Sequence, residues 1–309
     1  MRILPINHMI YFLLTLLILL ASCENNKFKT TYDESINEAA KDGDLKAINK
    51  FLDKGVNIES KDTLGRTPLH YAVMKHHFKI AEYLLAKGAN VNIQDNTGWS
   101  PIHIAANRDD TQLLKLLISK GADINIRNND GWTPLHDAAW RGSIKAIDIL
   151  LKVGADVNSL GNSGESPIFY AIDLGHKDAV KFLAKKGAKI LIKDIRGSTP
   201  IEHAIASSNP EITNILIDNI EPNEKDTKGY SALHHAVLRF DNKKEYELVI
   251  KRLIERGFEV NEKDNDGYTI LDWAYIYYSD NKYLIELLES NGAKRSKTLI
   301  ENKGNKKQP

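Results

Sequence analysis

Apolar residues recur along this chain in short runs with helical spacing, and each run is closed by a glycine. Examples are IAEYLLAKG at 80–88, LLKLLISKG at 113–121 and AIDILLKVG at 146–154. Their apolar positions lie three or four residues apart, so each run predicts an amphipathic helix with one buried face. The glycine predicts a helix end in the left-handed backbone conformation.

The helix-closing position holds the same residue type almost throughout the chain. It is filled by Gly55, Gly88, Gly121, Gly154, Gly187, Gly257 and Gly292. In the run that lacks a glycine, the position falls on Asn219, and asparagine also tolerates the left-handed conformation. We therefore expect Asn219 to end its helix in the same way.

A second motif follows each of these helix ends after a short polar segment. It consists of a glycine, a variable residue, Thr or Ser, and usually a proline, as in GWTPLHDA at 131–138. The hydroxyl predicts an N-cap, because it can accept a hydrogen bond from an unpaired amide of the first helical turn. Proline at the first helical position loses no hydrogen bond. The predicted N-caps are Thr67, Ser100, Thr133, Ser166, Thr199 and Ser231.

The motif recurs with a fixed period. Its glycines stand at positions 65, 98, 131, 164, 197, 229 and 267, so the first five intervals are 32 or 33 residues. A period of this length indicates a repeat fold, and the motif resembles the ankyrin repeat, whose signature is Thr-Pro-Leu-His-x-Ala. The resemblance covers residues 32–293, with a degenerate first copy at 35–55. It implies an all-α, mainly helical solenoid of about eight helix-turn-helix repeats with short hairpin loops.

The start of the chain has a different pattern. An almost unbroken apolar run at 9–20 is shorter than the roughly 20 residues that span a bilayer, and it predicts a signal peptide over residues 1–22. The segment LASC at 20–23 resembles the bacterial lipobox, which implies lipid attachment at Cys23, a flexible tether over 23–31 and a location in the bacterial cell envelope. An ordinary signal peptide and an uncleaved anchor are the alternatives.

Charge excludes one class of partner. The chain carries 42 basic and 41 acidic residues, a formal net charge of +1, so we expect no nucleic-acid partner. The tail at 294–309 holds six basic residues and one acidic residue, and we expect it to be disordered. Contact of this tail with an anionic lipid or an envelope polymer is the alternative.

The histidines do not form a pattern typical of a metal or catalytic site. Four of them occupy the motif position of different repeats: His70, His103, His136 and His234. Stacked helices lie about 10 Å apart, so these side chains cannot share a metal at about 2 Å. The ankyrin resemblance implies that they bond to backbone and to the neighbouring hydroxyl. His76 and His77 fall in a turn, where we expect them to face solvent. We expect no enzymatic activity, no metal, no cofactor and no small-molecule substrate.

The variable motif positions predict a binding surface, because the fold does not fix them. The candidate residues are Arg66, Trp99, Trp132 and Tyr230, which follow a motif glycine, and Arg108, Trp140 and Arg141, which follow a motif alanine by two or three positions. Trp, Tyr and Arg dominate the energetics of protein interfaces. The alternative is that Trp99 and Trp132 pack on the adjacent hairpin and only stiffen the stack. Met74 is expected on the same face.

These observations predict a membrane-anchored protein-interaction module of the bacterial envelope, acting as an adaptor or scaffold. The partner is a protein, and the membrane is reached through Cys23. Two alternatives remain. One is an immunity or inhibitor protein against a toxin, a role that the resemblance to bacterial ankyrin lipoproteins implies. The other is a structural envelope component that binds cell-wall polymer through the basic tail.

Overall fold

The computed structural model describes residues 35–296 apart from 208, 223 and 241–243. The predicted signal peptide, lipidated Cys23, tether and most of the basic tail therefore lie outside the described residues. The described part contains helices and turns but no strand, and the predicted all-α repeat architecture is confirmed. Within this part, no helix combines the length and the apolar composition that crossing a membrane requires.

Sixteen helices make up the described part, two to a repeat. They are α1 (Ile36–Asp42), α2 (Leu45–Asp53), α3 (Pro68–Met74), α4 (Phe78–Ala86), α5 (Pro101–Asn107), α6 (Thr111–Ser119), α7 (Pro134–Arg141), α8 (Ile144–Lys152), α9 (Pro167–Asp173), α10 (Lys177–Lys185), α11 (Pro200–Ala206), α12 (Pro210–Asn219), α13 (Ala232–Leu238), α14 (Lys244–Glu255), α15 (Ile270–Tyr277) and α16 (Lys282–Ser290). The first helix of each repeat begins at the motif and packs on the first helix of the next repeat.

The predicted helix starts are confirmed, but the hydroxyl of Ser166 makes no hydrogen bond to the first turn of α9. Thr133, for example, has extended backbone angles and is followed by Pro134 at the first helical position of α7. The motif alanines line the helix contact as expected, and each is at most 9% exposed. These small side chains allow close approach of neighbouring helices. The core therefore lies in rows that run from repeat to repeat.

The prediction for Asn219 is wrong. Gly55, Gly154 and the other helix-closing glycines do have positive φ, but Asn219 is the last residue of α12 and keeps a helical conformation. Its side-chain amide donates to the Ile215 carbonyl at 2.7 Å. Ile220 then leaves the helix in an extended conformation, with φ −97° and ψ 137°, and is fully buried. Burial of this apolar side chain sets the path of the chain where no glycine is present.

The turn between the two helices of a repeat contains a second left-handed position, which the sequence pattern did not reveal. His76 and Asp109 occupy it with φ of 59° and 56°. The prediction that His76 faces solvent is correct, and its Nδ1 lies 2.7 Å from the Asp110 carboxylate. His77 differs from expectation because it is half-buried and its Nε2 bonds to the Lys41 carbonyl at 3.1 Å.

Candidate binding surface

The hairpins between repeats fix the direction of the residues that follow the motif glycines. Asn128 Oδ1 accepts hydrogen bonds from the amides of Asp130 at 3.0 Å and Trp132 at 2.8 Å. Asp95 does the same for Thr97 and Trp99. An Asn or Asp side chain of this kind replaces backbone partners in a tight turn. Trp99 and Trp132 therefore start from rigid backbone positions.

The motif histidines tie these hairpins to the helices. Ser100 donates its backbone amide to His103 Nδ1 at 3.2 Å, so His103 Nε2 carries the proton and donates to the Trp132 carbonyl at 3.0 Å. The hydrogen bond from the motif histidine to the backbone, which the ankyrin resemblance implied, is thus present. It also links one repeat to the next. Burial lowers the pKa of His103 to about 4. The same arrangement at His136 reaches the Glu165 carbonyl.

Three aromatic side chains pack against each other on this face, and we call Trp132, Trp140 and Tyr170 the aromatic cluster. The ring centroid of Trp132 lies 4.3 Å from that of Tyr170 and 5.5 Å from that of Trp140. Trp132 also stacks on His136 at 6.2 Å. Trp132 and Trp140 are half-buried, whereas Tyr170 is 6% exposed. The cluster is held rigidly and keeps part of its surface open.

Sequence reasoning missed Tyr170. It occupies the variable position between the motif histidine and alanine, one repeat beyond Asp137, and its burial follows from the neighbouring tryptophans. The hairpin tryptophans Trp99 and Trp132 could have directed attention to the position of Tyr170, because that position lies on the face of the first helix that the tryptophans approach. Burial raises the pKa of the Tyr170 hydroxyl far above its usual value, so this side chain is neutral.

The remaining predicted residues divide between two places. Trp99 is half-buried and stacks on His103 at 6.2 Å, in the repeat before the aromatic cluster. Tyr230 belongs to a second aromatic group near the end of the chain, with its centroid 6.1 Å from Trp273. Trp132 also approaches the next hairpin, since a Cβ added at Gly161 would lie 3.3 Å from its indole ring. Trp132 therefore packs on the adjacent hairpin as well as presenting an open edge.

The predicted arginines differ in their exposure and in their ion pairing. Arg66 Nε lies 3.7 Å from an Asp95 carboxylate oxygen and is half-buried. Arg108 is half-buried, and Arg141 at the end of α7 is exposed. Met74 was expected to be exposed on this face. This prediction is wrong, because Met74 is only 8% exposed. The apolar thioether packs into the core instead.

Comparison with known proteins identifies the repeats. Five overlapping segments match the family model described as "Ankyrin repeats (3 copies)": residues 9–95, 36–128, 87–161, 158–226 and 201–298. The chain belongs to the ankyrin-repeat family. Two relatives from Arabidopsis thaliana match a single short stretch of 51 residues. They are acyl-CoA-binding domain-containing protein 1, at 34% identity, and acyl-CoA-binding domain-containing protein 2, at 33% identity.

These matches are local. The stretch covers 16% of this chain and 15% and 14% of the two relatives, which is less than two ankyrin repeats. This chain therefore matches only about a seventh of the length of either relative. Family membership supports the function class of a protein-interaction module and leaves the particular partner open, because repeat folds are shared by unrelated functions.

A buried carboxyl group lies between the motif histidine and the motif alanine of the fourth repeat. Asp137 on α7 is fully buried; the Asn107 side chain is close enough to lower its pKa, but neither carboxylate oxygen has a hydrogen-bond partner of good geometry among the described residues. Burial raises the pKa of Asp137 well above its usual value. Burial therefore favours the neutral form of this side chain in the folded protein, and we expect it to weaken the stack because a poorly hydrogen-bonded buried polar group is costly.

Replacing this carboxyl group by a hydrocarbon is expected to stabilise the protein. Asp137→Ile introduces the residue that occupies the same place one repeat earlier, Ile104, which is 4% exposed. We expect the free energy of unfolding to rise by about 1–3 kcal/mol at pH 7. The gain should shrink toward pH 4, because the unfolded aspartate then no longer gains by ionising. Urea unfolding followed by circular dichroism measures both effects.

The reverse exchange in the neighbouring repeat provides the control. Ile104→Asp places a carboxyl group at the equivalent buried position and is expected to destabilise the protein. Equal stability of wild type and Asp137→Ile at pH 7 would show that the carboxyl group is satisfied in solution.

One group in the described residues has the spacing of metal ligands: Glu165, Asp194 and His203. A guanidinium already fills the position of a cation. Arg196 Nη2 lies 2.6 Å from Glu165 and Arg196 Nε 2.8 Å from Asp194, while His203 Nδ1 lies 2.8 Å from Asp173. The donor set is thus engaged in an ion-pair network, and this network stabilises the fifth and sixth repeats without calling for a metal.

Proposed function

We propose that this chain is a protein-binding module whose partner docks on the aromatic cluster and on Trp99. The observation that supports this most directly is the pair of half-buried indoles, Trp132 and Trp140, held in place by Tyr170. Rigid aromatic side chains lose little conformational entropy on binding, and they contribute most when water is excluded around them. The cluster has both properties of an interface anchor.

The charges beside the cluster indicate the character of the partner. Arg141 is exposed at the end of α7, and Arg108 and Lys75 occupy the corresponding places in the two preceding repeats. A row of cations at the edge of an interface accelerates association with a surface of opposite charge. We infer that the partner segment carries carboxylates next to its apolar residues, and binding is expected to slow as salt is raised.

The cellular role rests on the amino-terminal pattern. We propose that the protein is anchored through lipidated Cys23 and acts in the bacterial envelope as an adaptor or scaffold, without catalysis. An immunity or inhibitor protein uses the same surface and differs in having a toxin as partner. Deleting residues 297–309 separates a structural role through the basic tail from these two, since we expect capture by the aromatic cluster to survive that deletion.

Trp140→Ala is the sharpest test of the binding surface. We expect the affinity for the partner to fall by about 2 kcal/mol or more, close to 30-fold, because an indole at an interface centre is replaced by a methyl group. The intact protein, solubilised in detergent, is used for capture from envelope extract, and the captured protein is then titrated against both forms.

Val153→Ala is the matched control, because it removes an apolar side chain that is 43% exposed at the end of α8, away from the aromatic cluster. Its affinity is expected to equal that of the wild type. Thermal unfolding verifies that both variants fold. Unchanged affinity of Trp140→Ala would exclude the aromatic cluster as the binding site and leave the tail as the candidate.

A further inference from the structure

Neighbouring hairpins in the ankyrin stack are joined by a recurring pair of hydrogen bonds. Asn129 donates its backbone amide to the Thr97 carbonyl at 3.1 Å and its side-chain amide to the Asn96 carbonyl at 3.0 Å. Asn96, Asn162 and Asn265 make the equivalent pair with their preceding hairpins. These bonds join the polar hairpin segments along the stack, because each asparagine satisfies two carbonyl groups of the preceding hairpin.

This pair of bonds is missing between the sixth and seventh repeats. The equivalent residue there is Thr227, and no hydrogen bond between the described residues joins it to the preceding hairpin. The space around the motif glycines shows the same difference between this contact and the others. A Cβ added at Gly98, Gly131 or Gly229 would lie within 2.6 Å of the following hairpin, whereas one added at Gly197 would meet nothing within 4 Å. Among the described residues, these two hairpins make neither bond of the pair, whereas the preceding contact keeps the backbone bond from Ile195 to the Ser163 carbonyl at 3.0 Å.

Two further links are absent at the same contact. The motif histidine that reaches the next repeat at His70, His103 and His136 is replaced by Glu202, whose Oε2 accepts the Thr199 amide at 2.8 Å. The helix-closing glycine is replaced as well, by the helical Asn219. The sixth repeat thus meets its neighbour without the asparagine pair and without the motif histidine, whereas the fifth repeat, which has Phe169 and Ile195 at these positions, keeps the backbone bond of the pair.

Charged groups take the place of these links. Glu202 Oε1 lies 3.5 Å from His235 Nδ1 and 3.2 Å from Arg239 Nε. The Asp226 carboxylate lies 3.2 Å from His235 Nε2 and 2.9 Å from Lys193 Nζ. His235 is 3% exposed and stands between both carboxylates. A proton on His235 places a cation between the two carboxylates, which Lys193 and Arg239 also approach, although the Nε2 contact with Asp226 is an ion pair without hydrogen-bond geometry.

The second helices continue this pattern on the other side of the contact. Arg252 Nη2 on α14 lies 3.0 Å from an Asp218 carboxylate oxygen on α12, and Arg256 donates to the Ile217 carbonyl. Exposed pairs of this kind contribute little, typically below about 1 kcal/mol. The group around His235 therefore carries most of the polar attachment.

We propose that the sixth and seventh repeats meet at an ionic joint, formed by Glu202, Asp226, His235, Lys193 and Arg239, at which residues 226–296 open independently of residues 35–219 once His235 loses its proton. This conformational device is separate from the binding function proposed above. Removing the charge of His235 leaves Glu202 and Asp226 as buried carboxylates with fewer cations, and an uncompensated buried charge is strongly destabilising.

The direction of the pH effect follows from the groups around His235. Burial lowers the pKa of His235, but Asp226 and Glu202 outweigh it and raise the pKa above its usual value, while Lys193 opposes them. Tyr230 meets the ring edge-on at 5.8 Å and is neutral, because burial raises its pKa to about 12.

The carboxylates complete the balance of charge. Although burial raises the pKa of Glu202, His235, the Thr199 amide and Arg239 lower it below its usual value. Asp226 shifts in the same direction, since His235 and Lys193 outweigh its burial. A histidine with a raised folded pKa contributes stability below pH 6.5, and this contribution is lost as the pH rises through the folded value. The ionic joint therefore weakens on the alkaline side.

Hydrogen exchange followed by mass spectrometry tests the joint on the intact protein in detergent. Protection factors, corrected for the intrinsic pH dependence of exchange, are compared between pH 6.5 and pH 9. We expect protection of residues 226–296 to fall at least about tenfold while protection in the second to fifth repeats is retained. Equal retention in both blocks, or a parallel loss in both, would overturn the proposal.

Variants keep the test specific to the proton on His235. His235→Gln is expected to show the low, alkaline level of protection in 226–296 already at pH 6.5. Glu202→Gln keeps the cap on Thr199 and removes one charge, so its loss of protection should begin on the order of one pH unit lower than in wild type. His76→Gln changes an exposed histidine outside the joint and should behave as wild type. An unchanged midpoint in Glu202→Gln would refute the ionic account even if His235→Gln fails to fold.

Discussion

Lowering the pH from 6.5 to 4.5 is expected to remove on the order of 6 kcal/mol from the free energy of unfolding through the motif histidines. Burial holds the pKa values of His103, His136 and His234 at about 4, and it also lowers that of His70. The unfolded histidines take up protons near pH 6.5 while the folded ones stay neutral. Each therefore costs about 1.4 kcal/mol per pH unit between those values.

The sign of this effect is fixed by the lowered values. A histidine with a depressed folded pKa contributes stability above pH 6.5, and this is lost as the pH falls toward the folded value. Domains of ordinary stability have about 5–15 kcal/mol to lose, so most of the stack is expected to unfold near pH 4.5. Denaturant unfolding followed by circular dichroism between pH 4.5 and 8 measures the slope.

His103→Gln tests whether the motif histidines cause this slope. We expect the slope below pH 6.5 to fall by about 1.4 kcal/mol per pH unit, whatever the variant does to stability at pH 8. His76→Gln should retain the full slope, because His76 is exposed. A slope in His103→Gln equal to that of wild type would assign acid unfolding to other groups.

Trp132→Ala is expected to lower the free energy of unfolding by about 3 kcal/mol, more than any other tryptophan truncation on the binding face. Trp132 contacts Tyr170, Trp140 and His136 at once, so its removal leaves a cavity that several side chains border. Urea unfolding at pH 8, where the motif histidines are neutral, gives the measurement. The same substitution should also reduce partner affinity, since Trp140 loses its support.

Trp99→Ala is the matched control, because Trp99 occupies the same motif position and stacks on His103. We expect it to lose no more than about half as much stability. Equal losses would mean that the aromatic cluster adds nothing to the stack, and the indoles would then serve binding alone. Trp99 and Trp132 have almost identical sequence contexts. Only their neighbours in the fold give the two truncations different expected losses of stability.

Much of the ankyrin fold was predictable because its signals are local. The cap at Ser100 and the helix start at Pro101 depend on residues within one turn, and the period places them in every repeat. The bond from His103 to the Trp132 carbonyl was less accessible, since its partner lies 29 residues away. The family resemblance supplied the type of bond, and the structure supplied the residue that receives it.

The aromatic cluster was predictable only in part. Trp132 and Trp140 stand at positions that the fold leaves variable, which is why the sequence could nominate them. Tyr170 could not be nominated in the same way, because its position in the motif also holds Ile104 and Asp137, with different roles. Which of these side chains meets a tryptophan depends on the repeat stacked beside it.

The sequence by itself determined the repeat, its helix starts and most of its helix ends, since short-range capping and a fixed period specify them. Only the tertiary structure decided how neighbouring repeats are joined: through asparagines and histidines along most of the stack, and through buried charges between the sixth and seventh repeats. The physical reason is distance along the chain. Glu202 and His235 are 33 residues apart, and their attraction exists only once stacking brings both into a region that water does not reach.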